Sequence, residues 1–172
     1  MDTFASEIAR AAKKARAVMQ EGLWGDEGVL GTLREEHERL LWTFNEIANT
    51  PNRDRRVELY GRLRIALLAH AEAEETTVYL KLSQVGEGAM MTRSAQEHQL
   101  ALDLIRELDK LSYDDPQWLT LLQRLATDVE DHIAHEEKKI FRLARAHLRA
   151  YELTKLDKEF RQAKLYAIQS LA

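Results

Sequence analysis

The chain of 172 residues contains no cysteine. That excludes disulfides, thiolate zinc sites, cysteine-ligated iron–sulfur clusters and any redox chemistry at sulfur. Only two prolines and seven glycines occur, so the chain is seldom interrupted. No apolar run approaches the roughly 20 residues that a membrane span requires. The opening stretch MDTFASEIARAAKK lacks the apolar centre of a secretory signal and carries acidic residues early, so a cytoplasmic protein is expected. A basic excess is missing too. The 25 lysines and arginines are outnumbered by 29 aspartates and glutamates, for a net charge of −4. No broad cationic footprint is available for a nucleic-acid backbone, and neither nucleic acid nor membrane is expected as a partner. Glycine-rich phosphate loops are absent, and no stretch alternates with period two, so no strand is predicted.

What is present is a helical composition. Charged residues make up 31% of the chain, and alanine, leucine, glutamate and arginine are abundant. The glycines of EGLWGDEGVLG (21–31), the TPNRD break at 50–54, QVGEGA at 84–89 and SYDDPQ at 112–117 punctuate the pattern. Between them the periodicity predicts long helices at about 29–49, 54–83, 90–111 and 116–149. Short connections make consecutive helices antiparallel, giving an all-α, up-down-up-down four-helix bundle over 28–149. Two amphipathic pieces flank it. One lies in an N-terminal segment, 1–27, with Phe4, Ile8, Ala12, Ala15 and Met19 at helical spacing. The other lies in a C-terminal segment, 150–172, with Leu153, Leu156, Phe160, Ala163 and Ala167. Both are expected to pack outside the bundle or to form a surface for a homo-oligomer.

Each long helix carries a stripe that should be apolar throughout. The first reads Leu30, Leu33, His37, Leu40, Leu41, Phe44, Ile47, and the second Tyr60, Leu63, Leu67, His70, Glu74, Val78. The third reads Met91, Ala95, His98, Leu102, Ile105, Leu108, and the fourth Leu125, Val129, His132, Glu136, Ile140, Leu143. The three-four spacing points each stripe at a core. Near the middle of each, histidine or glutamate stands where leucine belongs. Burying ionised carboxylates beside imidazoles costs several kcal/mol unless something satisfies all of them together. A pair of metal ions does so, because imidazole nitrogens and carboxylate oxygens are ligands and the cations offset the buried negative charge.

Register supports a single site. His37 and His70 lie 33 residues apart, His98 and His132 34 apart, and each second histidine is followed at +4 by Glu74 or Glu136. Locally, Glu36-His37 aligns with Glu97-His98, and HAEAEETTVY (70–79) with HIAHEEKKIF (132–141). The chain reads as a duplicated hairpin. A pseudo-twofold would gather His37, His70, Glu74, His98, His132 and Glu136 around two metals, with each glutamate able to bridge them. On this reading Glu72 is a bystander. Glu36, Glu75, Glu97 and Glu137 fall off the stripe and are expected to be mostly solvated, with one of them able to support a ligating imidazole from outside. His135, about 60° from His132 around the helix, is expected on the surface, with a ligand role as the lesser alternative. Tyr79 is expected as packing close to the site. His147 is about 16 Å along the axis from Glu136, too far to be a ligand. The row Lys138, Arg142, Arg145 and Arg149 is read as a solvated face.

Residues 28–148 resemble the hemerythrin-like, or HHE cation-binding, family. That resemblance implies a non-haem, carboxylate-bridged di-iron centre held by the six residues named above, although manganese or zinc would suit the same ligands. The match departs from the oxygen carriers of the family at two points. Their fifth histidine, one turn after the third-helix ligand, is here Leu102. Their last carboxylate lies five residues after the fourth-helix histidine, which would be Glu137. Glu136 lies about 40° from His132 around a helix and Glu137 about 140°, so Glu136 is the expected ligand. The expected function is binding or sensing of a small ligand, dioxygen or nitric oxide, or of iron. The alternatives are a peroxidase- or catalase-like enzyme or an oxidase, and an iron donor in stress repair. Family members with the repair role often carry a cysteine-bearing domain, and this chain has no cysteine.

Overall fold

A computed structural model of the chain describes residues 27–171, and the predicted N-terminal helix lies outside the described residues. All regular structure among the described residues is helical. The bundle is formed by α1 (Val29–Asn49), α2 (Arg53–Glu74), α3 (Gly88–Leu108) and α4 (Pro116–His135). α2 continues through a π-helical turn, Glu75–Tyr79, into a short α-helical stretch, Leu80–Leu82, and a second π-helical segment, Ser83–Glu87. α4 likewise passes through a π-helical turn, Glu136–Ile140, into α5 (Phe141–His147), and α6 (Ala150–Leu171) follows.

Local chemistry sets these boundaries. The Asn52 side chain accepts the Arg55 amide and caps α2, and the Asp115 side chain accepts the Gln117 amide and caps α4, where Pro116 fills the first turn. The QVGEGA break reduces to one residue. Gly86 adopts φ 103°, a left-handed conformation that reverses the chain between α2 and α3. Gly31, read from sequence as part of a loop, lies inside the first turn of α1.

The two π-helical turns are the main departure from the predicted stripes. One starts just after Glu74 and the other at Glu136, and each inserts one extra residue, so the buried face advances by five rather than four. Tyr79 and Leu82 therefore join Val78 in the core. Phe141 and Ala144 become buried, and the predicted Leu143 is only half-buried. In the first turn the Thr76 and Thr77 hydroxyls donate to the carbonyls of Glu72 and Ala73.

The apolar core is divided in two. One cluster gathers Phe44, Ile47, Tyr60, Leu63, Ile105, Leu108, Trp118, Leu122 and Leu125. The other gathers Leu30, Leu33, Val78, Leu82, Met91, Ile140, Phe141, Leu156 and Phe160. The polar layer lies between them. α6 joins the second cluster by packing along α1 and α2 with Leu153, Leu156, Phe160 and Ala167 buried, so the C-terminal amphipathic face is covered by the bundle itself.

Gly28 is where α6 meets the start of α1. It has φ 59°, and a Cβ there would stand 2.5 Å from the backbone carbon and oxygen of Leu153. Nothing at that contact can rotate away. Gly28→Ala is expected to lower stability by about 2 kcal/mol or more, combining overpacking with a strained backbone. Gly61, inside α2 with open space around its Cα, should behave oppositely, and Gly61→Ala should add about 0.5–1 kcal/mol. Urea unfolding midpoints of the two variants measure both effects.

Candidate metal centre

Between the two apolar clusters the bundle brings together all six residues singled out by sequence. His37 comes from α1, His70 and Glu74 from α2, His98 from α3, and His132 and Glu136 from α4 and its π-helical turn. All six are buried, the two glutamates completely. Their donor atoms form two groups. His37, His70, Glu74 and Glu136 each offer an atom within 4.8 Å of the others, and so do Glu74, His98 and His132. Glu74 belongs to both. Its Oε2 lies 3.5 Å from Nε2 of His70 and 3.5 Å from Nε2 of His98. Glu136 spans in the matching way, with Oε2 3.3 Å from Nε2 of His37 and 3.8 Å from Nε2 of His132.

The four outer glutamates are where the sequence reading fails. Each hydrogen-bonds Nδ1 of one of the four histidines at 2.9 Å: Glu36 with His70, Glu97 with His132, Glu75 with His98, and Glu137 with His37. Their exposure ranges from 13% for Glu36 to 42% for Glu75, so only Glu75 is exposed. The pairing follows the duplication. Glu36 and Glu97 reach the second histidine of their own hairpin, and Glu75 and Glu137 reach the first histidine of the other. A residue beside a stripe position is turned about 100° from it, which in a bundle aims it at a neighbouring helix rather than at water. Glutamate directly beside each ligand position was the available signal.

These contacts fix what the imidazoles can do. With Nδ1–H donated to a carboxylate, each neutral ring presents the lone pair of Nε2 inward. His98 and His132 then aim two Nε2 atoms at each other across 3.0 Å. Among the described residues neither oxygen of Glu74 has a hydrogen-bond partner, and the same holds for Glu136 Oε2 and His37 Nε2. Burial, and then the facing Glu136 carboxylate, push Glu74 well above the usual carboxylate range. Burial holds His70 down at about 4. Burial works against protonation of His37 as well, but Glu136 and Glu137 outweigh it and raise that ring to about 10. Protein groups alone leave this layer electrostatically unsettled, and a cation among the inward lone pairs would settle it.

Tyr79 is more than packing. Its ring stacks on His98 at 5.4 Å, and its hydroxyl donates to Glu136 Oε1 at 3.2 Å. Phe141, the matching residue of the other hairpin, stacks on His37 at 6.3 Å without a hydroxyl. His135 is not a surface residue: it is largely buried, with Nδ1 3.6 Å from Glu97, outside the inner cluster. His147 bonds Glu87 at the surface, as its distance predicted. α6 also reaches the centre, through Lys164 on Glu36 and the edge-on Phe160 ring 5.9 Å from that of His70.

A helical bundle with histidine and carboxylate donors converging at mid-height is of the class that houses metal between its helices. The sequence is consistent with this: residues 29–144 match the hemerythrin HHE cation-binding domain, and the chain belongs to that family. It is also 27% identical over 149 residues to a DNA nickase of Nostoc sp. (strain PCC 7120 / SAG 25.82 / UTEX 2576). That alignment covers 86% of this chain and 42% of the relative, so the chain spans about two-fifths of that protein's length. No solved structure matches it. Among the described residues, no helix is long and apolar enough to cross a membrane.

The outer carboxylates are directly testable. Glu75→Gln removes the charge on the Nδ1 side of His98 while keeping an acceptor of similar shape. It should weaken metal binding about 10–100-fold with an unchanged helical circular dichroism spectrum. Competition against a chromophoric chelator reads the affinity.

Proposed function

We propose that the chain is a non-haem di-iron protein whose centre binds a small ligand, dioxygen or nitric oxide. Its ligands are His37, His70, Glu74, His98, His132 and Glu136, and Glu74 and Glu136 act as bridges. The observation that carries this reading is the Glu74 carboxylate, fully buried, without a hydrogen-bond partner among the described residues and shared by both donor groups. Iron, rather than manganese or zinc, follows from membership of the family. When bound, the pair supplies Lewis acidity and a change of oxidation state. The protein holds the rings in one tautomer through four carboxylates, flanks the inner layer with two apolar clusters, and places the Tyr79 hydroxyl on Glu136. Four histidines, with Leu102 where a fifth would stand, leave room for an exogenous ligand.

The purified chain, loaded with ferrous iron without oxygen, should retain two irons. Its near-ultraviolet and visible absorption should change on adding azide or nitric oxide. Retention of less than one iron per chain sinks the proposal. A stability experiment separates the carboxylate's two roles. In metal-free protein, Glu74→Met should match or exceed wild-type stability, because a buried carboxyl without a hydrogen-bond partner is replaced by a packed thioether. The same variant should lose the stabilisation that iron gives the wild type, since metal held only by the folded state adds to its stability.

A second reading, an enzyme turning over peroxide or dioxygen, is favoured by the hydrogen bond from Tyr79 to Glu136. Tyr79→Phe makes the first hairpin's aromatic residue a copy of Phe141 in the second. If this reading holds, that variant keeps its iron and loses most of its peroxide turnover. Equal turnover in the two proteins assigns Tyr79 to packing. The name of the Nostoc relative brings in DNA strand cleavage as a further reading. The exposed row Lys138, Arg142, Arg145 and Arg149 is what would meet a phosphate backbone, and the net charge of −4 argues against it. Conversion of supercoiled plasmid to the open circle by iron-loaded protein, set against a charge-reversed row, decides that point.

A further inference from the structure

A cavity of about 450 Å³ opens between α2 and α3 and reaches inward to His70, His98 and His132. Leu67, Leu102, Ile105, Val129 and Ile133 wall it with carbon. Glu72, Glu75, Glu97 and Asp128 also line it, Glu75 and Glu97 being bonded to His98 and His132, and its arginines have partners: Arg64 pairs with Asp109 at 2.8 Å and Arg106 with Asp103 at 3.0 Å. A diatomic ligand is of the order of one water, whose share of liquid is about 30 Å³. The cavity exceeds that more than tenfold, and falls within the roughly 300–1,000 Å³ of sites for small organic molecules.

The two hairpins show where the space comes from. Aligned on Glu36-His37 and Glu97-His98, Leu40 of α1 corresponds to Ala101 of α3, and Phe44 to Ile105. Leu40 and Phe44 are buried in the first apolar cluster, as is Ile105. Ala101 and Ile105 are smaller than the residues they correspond to, and both line the cavity, with Leu40 and Leu102 beside them. The side-chain volume lost at these two positions of α3 contributes to the open space.

We infer that this cavity is a binding site for an uncharged, mainly hydrocarbon organic molecule with one polar end. The carbon walls take the chain, the histidine floor takes the polar end, and the paired arginines leave no cation to select an anion. The inference deepens the di-iron reading by seating such a molecule beside the metals. The cavity itself is built of protein and is testable without metal.

The probe is n-octanol, titrated calorimetrically into metal-free and iron-loaded full-length chain, with displacement of the fluorophore N-phenylnaphthylamine as a second readout. One saturable site is expected in both forms, with a negative heat-capacity change. In the iron-loaded protein, octanol should also perturb the visible spectrum. Leu102→Trp should weaken binding about tenfold or more, the scale of overpacking a formed pocket. Ala101→Leu, a smaller change that restores the residue of the other hairpin, does the same job if the tryptophan variant fails to fold. Leu119→Trp, on the outside of α4, should leave binding unchanged. Absence of saturable binding at millimolar octanol, or equal affinity in both cavity-filling variants, overturns the inference. Iron uptake without octanol binding removes this inference alone, whereas octanol binding without iron uptake removes the di-iron reading and leaves the cavity standing.

Discussion

Two carboxylates buried among four imidazoles dictate the rest of this molecule. Glu74 and Glu136 have no access to water, and such groups persist only where cations, proton donors or both converge on them. The bundle meets that demand in shells. Four Nε2 atoms face inward because four outer carboxylates hold the Nδ1 atoms, and three of those carboxylates are in turn approached by Lys164, Arg93 and Arg34. Above and below, the apolar clusters flank the layer and lock the helices in register. A shift of one residue in α2 would put Ala69 or Ala71 where His70 stands.

The backbone is shaped to the same end. Both π-helical turns begin at a buried glutamate or immediately after it, within one residue of equivalent places in the two hairpins: the first just after Glu74, the second at Glu136. An uninterrupted α-helix would carry the position five residues after Glu74 about 140° around the axis, away from the centre. The extra residue brings Tyr79 and Phe141 back onto the ring faces of His98 and His37. The turn is thus the means by which one helix supplies a ligand position and the next aromatic wall from the same face.

The sequence disclosed the inner six residues because ligand positions share the three-four spacing of an apolar stripe, so a histidine or glutamate there is conspicuous. The bundle, the C-terminal amphipathic face and the turn at Gly86 were legible for the same reason: each is a local pattern. What escaped was set between helices. Glu36, Glu75, Glu97 and Glu137 read as solvent-facing from their angles on one helix, and become histidine partners only when the neighbouring helix is placed. The π-helical turns left no periodic trace, since Val78 and Ile140 fit the uninterrupted stripe equally well. His135 was misplaced by treating the fourth helix alone. The burial of α6 against α1 and α2 depends on a contact at Gly28 that links residues 125 positions apart.

Duplication builds the centre, but the departures from duplication give it a direction. A perfect twofold would offer a ligand two equivalent approaches. Here three differences break the equivalence: Tyr79 against Phe141, Ala101 and Ile105 against Leu40 and Phe44, and α6 covering only the α1–α2 side. The Tyr79 ring stacks on His98, and open space lies beside His98, His132 and His70, while α6 brings Lys164 to Glu36 and the Phe160 ring to His70. The group that joins Glu74 to His98 and His132 has three donors, against four for its neighbour. The less fully surrounded group is therefore also the one whose two histidines both face open space, whereas the Tyr79 hydroxyl donates across to Glu136 of the other.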